Sequence, residues 1–320
     1  MCEQLREHSV WMADVRAFRT EEVRVLTPAS SANLGPGFDS AGLALGLEDE
    51  LVAQVHDAPG IVVQVTGECA HSVPLDENHL VVRAMNLAFE AMGVRPAGFT
   101  LRCLNRIPHG RGLGSSAAAI IGGMVLARAL VADESLRLTD VQLLHAALAL
   151  ESHPDNLAAA LFGGVTIAWV DTSGAVDFVR CSPHSSVQPV VAFPDTPLAT
   201  KAARKALPET IPLSDAVHNI SRAAVLLHAM TTDPTKLLAA TSDRLHQDAR
   251  ASMYPETMAL MARLRGEGIA AFVSGAGPAV LGLGDIDREG MAAAAPEGWT
   301  VRALPVSAVG AREASLSQPA

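Results

Sequence analysis

Residues 108 to 119, which read PHGRGLGSSAAA, combine residue types that can bind an anionic ligand. Gly110, Gly112 and Gly114 remove the side chains that would hold a ligand away from the backbone. Two serines then begin a run of small and apolar residues that predicts a helix to about residue 131. The start of a helix offers unpaired N–H groups and the positive end of the helix dipole. The stretch therefore predicts a phosphate site.

Two other phosphate loops and one structural alternative compete with this interpretation. A Walker A loop ends in Gly-Lys-Ser/Thr, and the absence of lysine here argues against a P-loop NTPase. Gly112, Gly114 and Ala117 fit the dinucleotide fingerprint, but that fingerprint requires a following strand, whereas Thr139 predicts the N-cap of a second helix. The structural alternative is a glycine turn that only begins a buried helix.

Glu151 is the best candidate metal ligand. It follows apolar residues at helical spacing, so it is predicted to end the apolar face of the helix that begins at Thr139. A carboxylate in that position is costly unless it is paired or binds a cation. The alternative is a solvent-exposed acid in the last turn. His153, which precedes Pro154, is predicted to be a turn residue rather than a base.

Residues 27 to 42 are predicted to form a compact irregular loop that carries Asn33 and Asp39. Such loops often carry function. The alternative is a structural turn in which both side chains bond only their own backbone.

Composition and charge limit the classes of protein. The net charge of −10 argues against a nucleic-acid partner, which requires a basic face. No apolar run reaches the roughly 18 residues that span a membrane. The acidic N-terminal residues lack the apolar core of a secretory signal. Four widely spaced cysteines without a C-x-x-C pair indicate reduced thiols, and a cytoplasmic location is expected.

The length of 320 residues favours two lobes, with a boundary at about residue 170. Residues 1–22 are interpreted as an extension, and the tail after about Arg312 as loose. The other predicted elements are a strand at 23–26, a hairpin of 51–55 with 61–65, a helix to about Met92, a strand at 99–107, a buried strand at 163–170, a strand at 189–194, helices at 200–207, 215–230, 236–250 and 255–267, and a strand–turn–strand at 270–283.

Three separated blocks, PASSANLGPGFDSAGLAL, PHGRGLGSSAAAIIGG and SGAGPAVLGL, resemble the signature motifs of the GHMP small-molecule kinases. The blocks ESHPDNLAAALFGG, TKAARKALP, HNISRAAVLLHAM and DRLHQDAR are similar to homoserine kinases of the actinobacterial type. The similarity runs from Val23 to about Val309. It implies an α+β, two-lobe fold: a ribosomal-protein-like ATP-binding lobe at 23–170, a ferredoxin-like lobe at 171–312 and a tail at 313–320.

The resemblance implies a kinase that phosphorylates the hydroxyl of L-homoserine in threonine biosynthesis, with ATP and Mg²⁺ as cofactors. The family's metal ligands fall on Ser116 and Glu151. Asn78 matches the asparagine of the adenine pocket. The phosphate-binding loop falls on Pro108, Gly110, Gly112, Leu113, Gly114, Ser115, Ser116 and Ala117.

The acceptor pocket of homoserine kinases falls on Asn33, Asp39, Asn156, Arg204 and Arg250. A zwitterionic amino acid needs an acid for its ammonium group and guanidinium groups for its carboxylate, which agrees with this set. The alternative for each arginine is an ordinary solvated charge. The predicted catalytic residues are Glu151, Ser116, Asp155, which is the nearest candidate base, and Thr200.

Two departures from the family pattern are Ser152, where glycine is usual, and the pair Asp248-Ala249 before Arg250. The rival functions are a GHMP kinase for another amino alcohol, such as threonine, and a non-catalytic binding protein, which would be expected to lose Glu151 or the serines. The predicted partners are homoserine and ATP. A homodimer is compatible with the sequence, which leaves the oligomeric state open.

Overall fold

The computed structural model describes residues 17–198 and 200–316. Its strands are β1 (Val23–Ala32), β2 (Ala41–His56), β3 (Gly60–Gly67), β4 (Gly98–Asn105), β5 (Val165–Val170), β6 (Val176–Cys181), β7 (Val190–Phe193), β8 (Ala270–Val273), β9 (Val280–Leu283), β10 (Thr300–Ala303) and β11 (Arg312–Ala314). Its helices are α1 (Leu80–Ala91), α2 (Ser115–Leu130), α3 (Asp140–Ala147), α4 (Pro154–Phe162), α5 (Thr200–Lys205), α6 (Leu213–Thr231), α7 (Leu237–Ala240), α8 (Pro255–Gly266) and α9 (Arg288–Ala294).

The first lobe is built on a seven-stranded mixed sheet with helices packed against it. The central path runs in the order β11-β1-β2-β4-β3, and β5 extends it by pairing with β2 and with β6. A buried core cluster joins this sheet to α1, α2, α3 and α4. Glycines at 122 and 123 let α2 approach β1 and α1 closely, because a side chain at either position would crowd Thr27 or the carbonyl of Val81.

The second lobe is a four-stranded antiparallel sheet in the order β10-β7-β9-β8. The chain passes from β7 through helices to β8, returns as β9, and reaches β10 through α9. This is the split β-α-β arrangement of ferredoxin-like folds. The predicted α+β, two-lobe fold is confirmed.

A second core cluster joins the lobes. Leu43 and Leu113 from the first lobe share it with Phe272 and Leu281 from the second, and all four are nearly inaccessible to solvent. The loops that follow β1, precede α2 and follow β8 are therefore anchored at one junction.

The predicted hairpin of 51–55 with 61–65 is wrong. The strand β3 pairs in parallel with β4, and β4 lies between β3 and β2. The alternation of apolar residues located both strands correctly, but it carries no information about the partner, and α1 provides the crossover that a parallel pair requires.

Three other predictions of local structure are corrected. The strand at Val23 runs on to Ala32, so the irregular loop is shorter than residues 27 to 42. The helix predicted over 236–250 is broken: α7 ends at Ala240 and a 3₁₀ helix covers Asp248–Met253. The tail is not loose at its start, because β11 pairs with β1.

The other predicted helices at Thr139, 200–207, 215–230 and 255–267 begin close to where they were expected. The predicted lobe boundary at about residue 170 stays a prediction, and the same holds for the domain limits. In the sheets, β6 still belongs to the first lobe and β11 returns to it. Of the N-terminal extension, residues 1–16 lie outside the described residues, and Phe18 packs edge-on against Phe89 in the first core. None of the described helices combines the length and apolarity needed to cross a membrane.

Candidate active site

Three adjoining cavities lie at the junction of the lobes. Their volumes are about 220 Å³, 150 Å³ and 70 Å³. The largest and the middle cavity share Ser115 and Ser116 in their walls. The middle and the smallest share Glu151, Asn156 and the turn that contains Gly275. The walls therefore join the three spaces in a row, with the glycine loop in the middle.

The glycine loop has a backbone that only glycine adopts readily. Gly110, Gly112 and Gly114 have φ angles of 68°, 77° and 70°. A side-chain carbon at Gly112 would collide with the carbonyl oxygen of Ser274, and one at Gly114 with the hydroxyl of Ser30. The Ser274 hydroxyl also donates to the Gly112 carbonyl at 2.6 Å, which attaches the third sequence block to the loop.

The first turn of α2 presents backbone N–H groups that do not bond to other described residues. Gly114 is the N-cap and has no side chain that could accept from them. The first backbone bond back to the cap comes from Ala118, at 2.9 Å. The N–H groups of Ser115, Ser116 and Ala117 have no partner within residues 17–198 and 200–316. The predicted phosphate site is therefore a set of convergent amides at a helix N-terminus.

The largest cavity has mainly apolar walls, with Asn78 at its rim. Pro108 is buried beside it rather than on its surface. At its base, burial raises the pKa of Asp49 to about 6, although the backbone N–H groups of Arg106 and Ile107 donate to that carboxyl at 2.6 and 2.9 Å. The lining side chains include Leu51, Val73, Pro74, Asn78, His79, Leu80, Val81 and His109.

The smallest cavity holds the acceptor residues that the sequence predicted. Arg204 donates from both terminal nitrogens to one carboxylate oxygen of Asp39, at 2.8 Å each. Each of these side chains is 35% exposed. The two residues that the resemblance assigned to opposite ends of one ligand are thus paired with each other.

Arg250 lies beside that pair and is only 3% exposed. Its Nε donates to the carbonyl of Ala203 at 3.0 Å, and its Nη1 lies 3.3 Å from Nδ1 of His246. Within the described part of the chain, no carboxylate lies within 4.0 Å of its guanidinium. Burial lowers the pKa of Arg250, because the charged form is desolvated. A buried cation without an acidic partner indicates a site for an anion.

Glu151 is not in the helix as predicted, since α3 ends at Ala147. Its backbone N–H still bonds to the Ala147 carbonyl at 3.1 Å, and its side chain is 32% exposed in the wall of the middle cavity. The Nδ1–H of His153 donates to it at 2.9 Å, and this hydrogen bond is the main reason that the pKa of Glu151 is lowered. The carboxylate is therefore ionised at neutral pH.

His153 is the N-cap of α4, as expected for a turn residue, but its ring reaches the acceptor cavity. Its Nε2 contacts Arg204 and lies 3.9 Å from a carboxylate oxygen of Asp39. The hydrogen bond to Glu151 raises the pKa of His153. One imidazole thus links the candidate metal ligand to the acceptor pair, which the sequence did not indicate.

Asp155 and Asn156 follow at the start of α4 and line the same cavity. Asp155 is 5% exposed, and burial is the main cause that raises its pKa to about 7. The Asn156 N–H donates to it at 2.6 Å. The Asn156 side-chain oxygen accepts from the Ser30 hydroxyl at 2.9 Å, so Asn156 is held against β1.

Asn33 combines the two roles that the sequence left open. Its side-chain oxygen accepts from the Asp39 N–H at 3.0 Å, which is the local bond of a structural turn. Its Nδ2 donates to the Gly275 carbonyl at 2.9 Å, which is a contact with the opposite lobe. Asn33, Leu34 and Asp39 have positive φ angles, so the turn is tightly constrained.

Comparisons with known proteins show which family the chain belongs to. Residues 79–164 match the family model described as the GHMP kinases N terminal domain, and residues 226–299 match that of the GHMP kinases C terminal. The homoserine kinase of Streptomyces coelicolor is 49% identical over 296 residues, which cover 92% of this chain and 95% of that protein. The chain belongs to the GHMP kinase family.

Other relatives and solved structures agree with this membership. The homoserine kinase of Clavibacter michiganensis is 47% identical over 90% of this GHMP kinase and 92% of that protein. A putative homoserine kinase structure from Listeria monocytogenes has a TM-score of 0.72 at 28% identity, covering 92% of this chain and 99% of that one. The homoserine kinase structure from Cytophaga hutchinsonii, at 24% identity and a TM-score of 0.80, covers 96% and 100% and shows the shared fold.

Sequence reasoning missed three side chains at the predicted acceptor site of this GHMP kinase. Phe38 lines the cavity, His246 contacts Arg250, and the ring of His153 bridges Glu151 and Arg204. Phe38 and His246 lie inside blocks that carried the resemblance, which was the only available signal. Thr200 is the first residue of α5, and its side chain lies outside the described part of the structure.

Proposed function

We propose that this GHMP kinase transfers the γ-phosphoryl group of ATP to the hydroxyl of L-homoserine and releases O-phospho-L-homoserine and ADP. Three relatives that cover at least 90% of the chain are named homoserine kinases. The observation that carries the proposal is Arg250, a buried guanidinium without a carboxylate partner in the described residues. An acceptor with a carboxylate of its own would satisfy that charge.

The acceptor is a zwitterion, and the cavity contains both signs of charge. In this proposal Asp39 binds the ammonium group, and Arg204 and Arg250 bind the carboxylate. Asn33 and Asn156 would contact the remaining atoms, and Thr200, the first residue of α5, stays a predicted catalytic residue. The Asp39–Arg204 pair must open to admit the acceptor, and because both side chains are about a third exposed, opening costs little, about 1 kcal/mol or less.

The nucleotide would occupy the other two cavities. The apolar walls of the largest cavity suit an adenine ring, with Asn78 as a polar partner at the rim. The triphosphate would then lie on the glycine loop, where the amides of Ser115, Ser116 and Ala117 are unpaired among the described residues. Phosphoryl transfer depends mainly on such positioning and on charge neutralisation. This order brings the γ-phosphoryl group next to the acceptor cavity.

Ser116 and Glu151 are the residues that would hold Mg²⁺. Both line the middle cavity, the Ser116 hydroxyl is exposed, and the carboxylate is ionised. When bound, the ion would neutralise charge on the phosphates.

Asp155 is the proposed general base. It lies in the acceptor cavity, and its pKa of about 7 is matched to a base that works near neutral pH. As the hydroxyl oxygen of the acceptor bonds to the γ-phosphorus and ADP departs, Asp155 would take the hydroxyl proton. Because the carboxylate form is the base, turnover should rise with pH through about 7, and Asp155→Asn should abolish that rise.

We also propose that two copies of the chain associate through α6. The fully exposed residues from 213 to 228 are uncharged, and the two charged residues of that stretch, Asp215 and Arg222, are only partly exposed. Leu213, Val217 and Ile220 are 80%, 57% and 69% exposed. Together with Ala224 they are spaced by 4, 3 and 4 positions, so an antiparallel copy would set Leu213 against Ala224 and Val217 against Ile220. The dipoles of antiparallel helices also attract.

Sedimentation tests this assembly. The wild-type chain is expected to sediment as a dimer and Ile220→Glu as a folded monomer. A monomeric wild type would contradict the proposed dimer.

The enzyme is further proposed to act in the cytoplasm, where ATP is available. The three cysteines in the described residues are unpaired.

A coupled assay of ADP release tests the proposed reaction. Homoserine, threonine and mevalonate are compared at equal concentration, and homoserine is expected to give the highest specificity constant. A preference for threonine would make the chain a kinase of another amino alcohol. ATP binding without release of ADP on any of the three would favour a non-catalytic protein.

A further inference from the structure

The side chain of Phe38 lies against two of the charged groups of the acceptor cavity, the guanidinium groups of Arg204 and Arg250. The Cζ atom of Arg204 is 5.2 Å from the centroid of its ring, and that of Arg250 is 5.6 Å from it. The imidazole of His246 stacks on the same ring, with centroids 5.0 Å apart and an interplanar angle of 25°. A single aromatic side chain therefore contacts both guanidinium groups and the histidine that bonds one of them.

Two guanidinium groups close together repel each other, and Arg204 is one of the charges that disfavour the charged form of Arg250. The face of an aromatic ring carries negative potential and attracts a cation within about 6 Å of its centroid. Phe38 thus offsets part of that repulsion without introducing an acid. Asp39 already pairs with Arg204, and an acid in place of Phe38 would neutralise Arg250 as well and remove the reason for an anion to bind there.

The stacked histidine also holds Arg250, through a hydrogen bond. Nε2–H of His246 donates to the carbonyl of Gly35 at 2.8 Å, so Nδ1 keeps its lone pair and accepts from Arg250 Nη1 at 3.3 Å. Arg250 Nε is bonded to the carbonyl of Ala203, one residue before Arg204 in α5. The two arginines are thus coupled through α5 as well as through the ring.

We propose that Phe38 is a positioning residue that holds Arg204 and Arg250 as one two-pronged receptor for the carboxylate of the acceptor. It thereby selects acceptors that carry a free carboxylate. This inference rests on the proposed function. Phe38 is half-buried and belongs to none of the core clusters, so its replacement is not expected to unfold the chain.

The test compares Phe38→Leu, which keeps an apolar side chain but removes the ring, with Phe38→Tyr, which keeps the ring. Steady-state constants are measured for ATP, for homoserine and for homoserine methyl ester, which lacks the carboxylate charge. Phe178→Leu is the matched control, because Phe178 is also half-buried, its ring stacks on that of Phe162, and it lies outside the three cavities. Melting temperatures report folding, and Phe38→Met is a second variant without a ring if the leucine variant is unstable.

Phe38→Leu is expected to raise KM for homoserine about tenfold, to leave KM for ATP unchanged, and to reduce the preference for homoserine over its ester by a similar factor. Phe38→Tyr should keep both values close to those of the wild type, and Phe178→Leu should alter neither. The inference is overturned if folded Phe38→Leu keeps the wild-type preference for the free carboxylate, or if Phe38→Tyr fails as badly as Phe38→Leu. A wild-type enzyme that uses the ester as well as homoserine would instead overturn the proposed carboxylate site, and this inference with it.

Discussion

The proposed nucleotide half and acceptor half of the active site differ in the chemical groups that line them. In the first, the proposed binding groups are backbone amides at the start of α2, next to the glycine loop, and the apolar walls of the largest cavity, which come from several segments between residues 49 and 119. In the second, the charged side chains of Asp39, Glu151, Arg204 and Arg250 meet from four separate parts of the chain in a cavity of about 70 Å³. The first half suits a phosphate that all family members share, and the second can vary with the acceptor.

Loss of one charge at the border of the two halves should have the largest effect. Glu151→Gln removes the candidate metal carboxylate but keeps its shape, and turnover should fall about 10²- to 10³-fold at saturating Mg²⁺. The melting temperature should change little, because the side chain is about a third exposed. Turnover and thermal melts are the measurements.

Glu134→Gln is the matched control, since Glu134 is 84% exposed and outside the three cavities. Near-normal turnover in Glu151→Gln would exclude Glu151 as a metal ligand. The border between the halves would then need another cation site.

The nucleotide half contains a buried acid whose role should be structural. The pKa of Asp49 is about 6 in the folded chain against 3.8 for the unconstrained group, so the folded state binds the proton more tightly. Its contribution should therefore make the free energy of unfolding fall as pH rises from about 4 to 6, by about 3 kcal/mol in total, and stay constant above that range.

Asp49→Asn should remove this slope and be more stable than the wild type at pH 8, because an amide oxygen can still accept the N–H groups of Arg106 and Ile107. Urea unfolding at pH 4.5 and pH 8 measures the difference. The same substitution at the exposed Asp57 is the control. An equal slope in wild type and Asp49→Asn would show that Asp49 is not the group that titrates.

A smaller effect, on ATP affinity, is expected from a substitution in the backbone of the glycine loop. Gly114→Val places a branched side chain at a φ of 70° against Ser30, and ATP affinity should fall at least about tenfold. Gly174→Val is the control, because Gly174 has a φ of 85° with open space around it. Titration with a fluorescent ATP analogue reports binding.

If folded Gly114→Val binds ATP as tightly as Gly174→Val, the amides at the start of α2 do not hold the triphosphate. The nucleotide half would then bind ATP through groups other than these backbone amides. Unfolding of both variants to the same extent would point to backbone strain alone.

The sequence predicted the nucleotide half better because its signals are local. Glycines, serines and a helix pattern lie within twelve residues, and the structure forms the loop and the helix as expected. The pairing of β3 with β4 could not be predicted, because alternation places a strand on a face but does not choose its neighbour. The same holds for the end of α3 before Glu151, where the helical spacing continues for one more turn.

In the acceptor half, the resemblance predicted which residues line the cavity, but it did not predict which of them contact each other. Arg204 and Asp39 are 165 positions apart, and nothing in either segment indicates that they pair with each other. In the sequence Phe38 is an ordinary apolar residue, and only the structure shows that two guanidinium groups lie against its ring. The assignments of the individual site residues remain predictions that the variants above and below test.

The most direct test of the account measures the specificity constants for homoserine and its methyl ester in wild type, Arg204→Ala, Arg250→Ala and Arg250→Lys. Removal of the ligand charge from a buried guanidinium costs on the order of 2 to 5 kcal/mol, so wild type should prefer homoserine by roughly 30-fold or more. Arg250→Ala should lose most of that preference, Arg250→Lys much of it because a point charge lacks the planar fork, and Arg204→Ala less because Arg204 is more exposed. A wild type that uses the ester equally well, or arginine variants that all keep the wild-type preference, would contradict the carboxylate site.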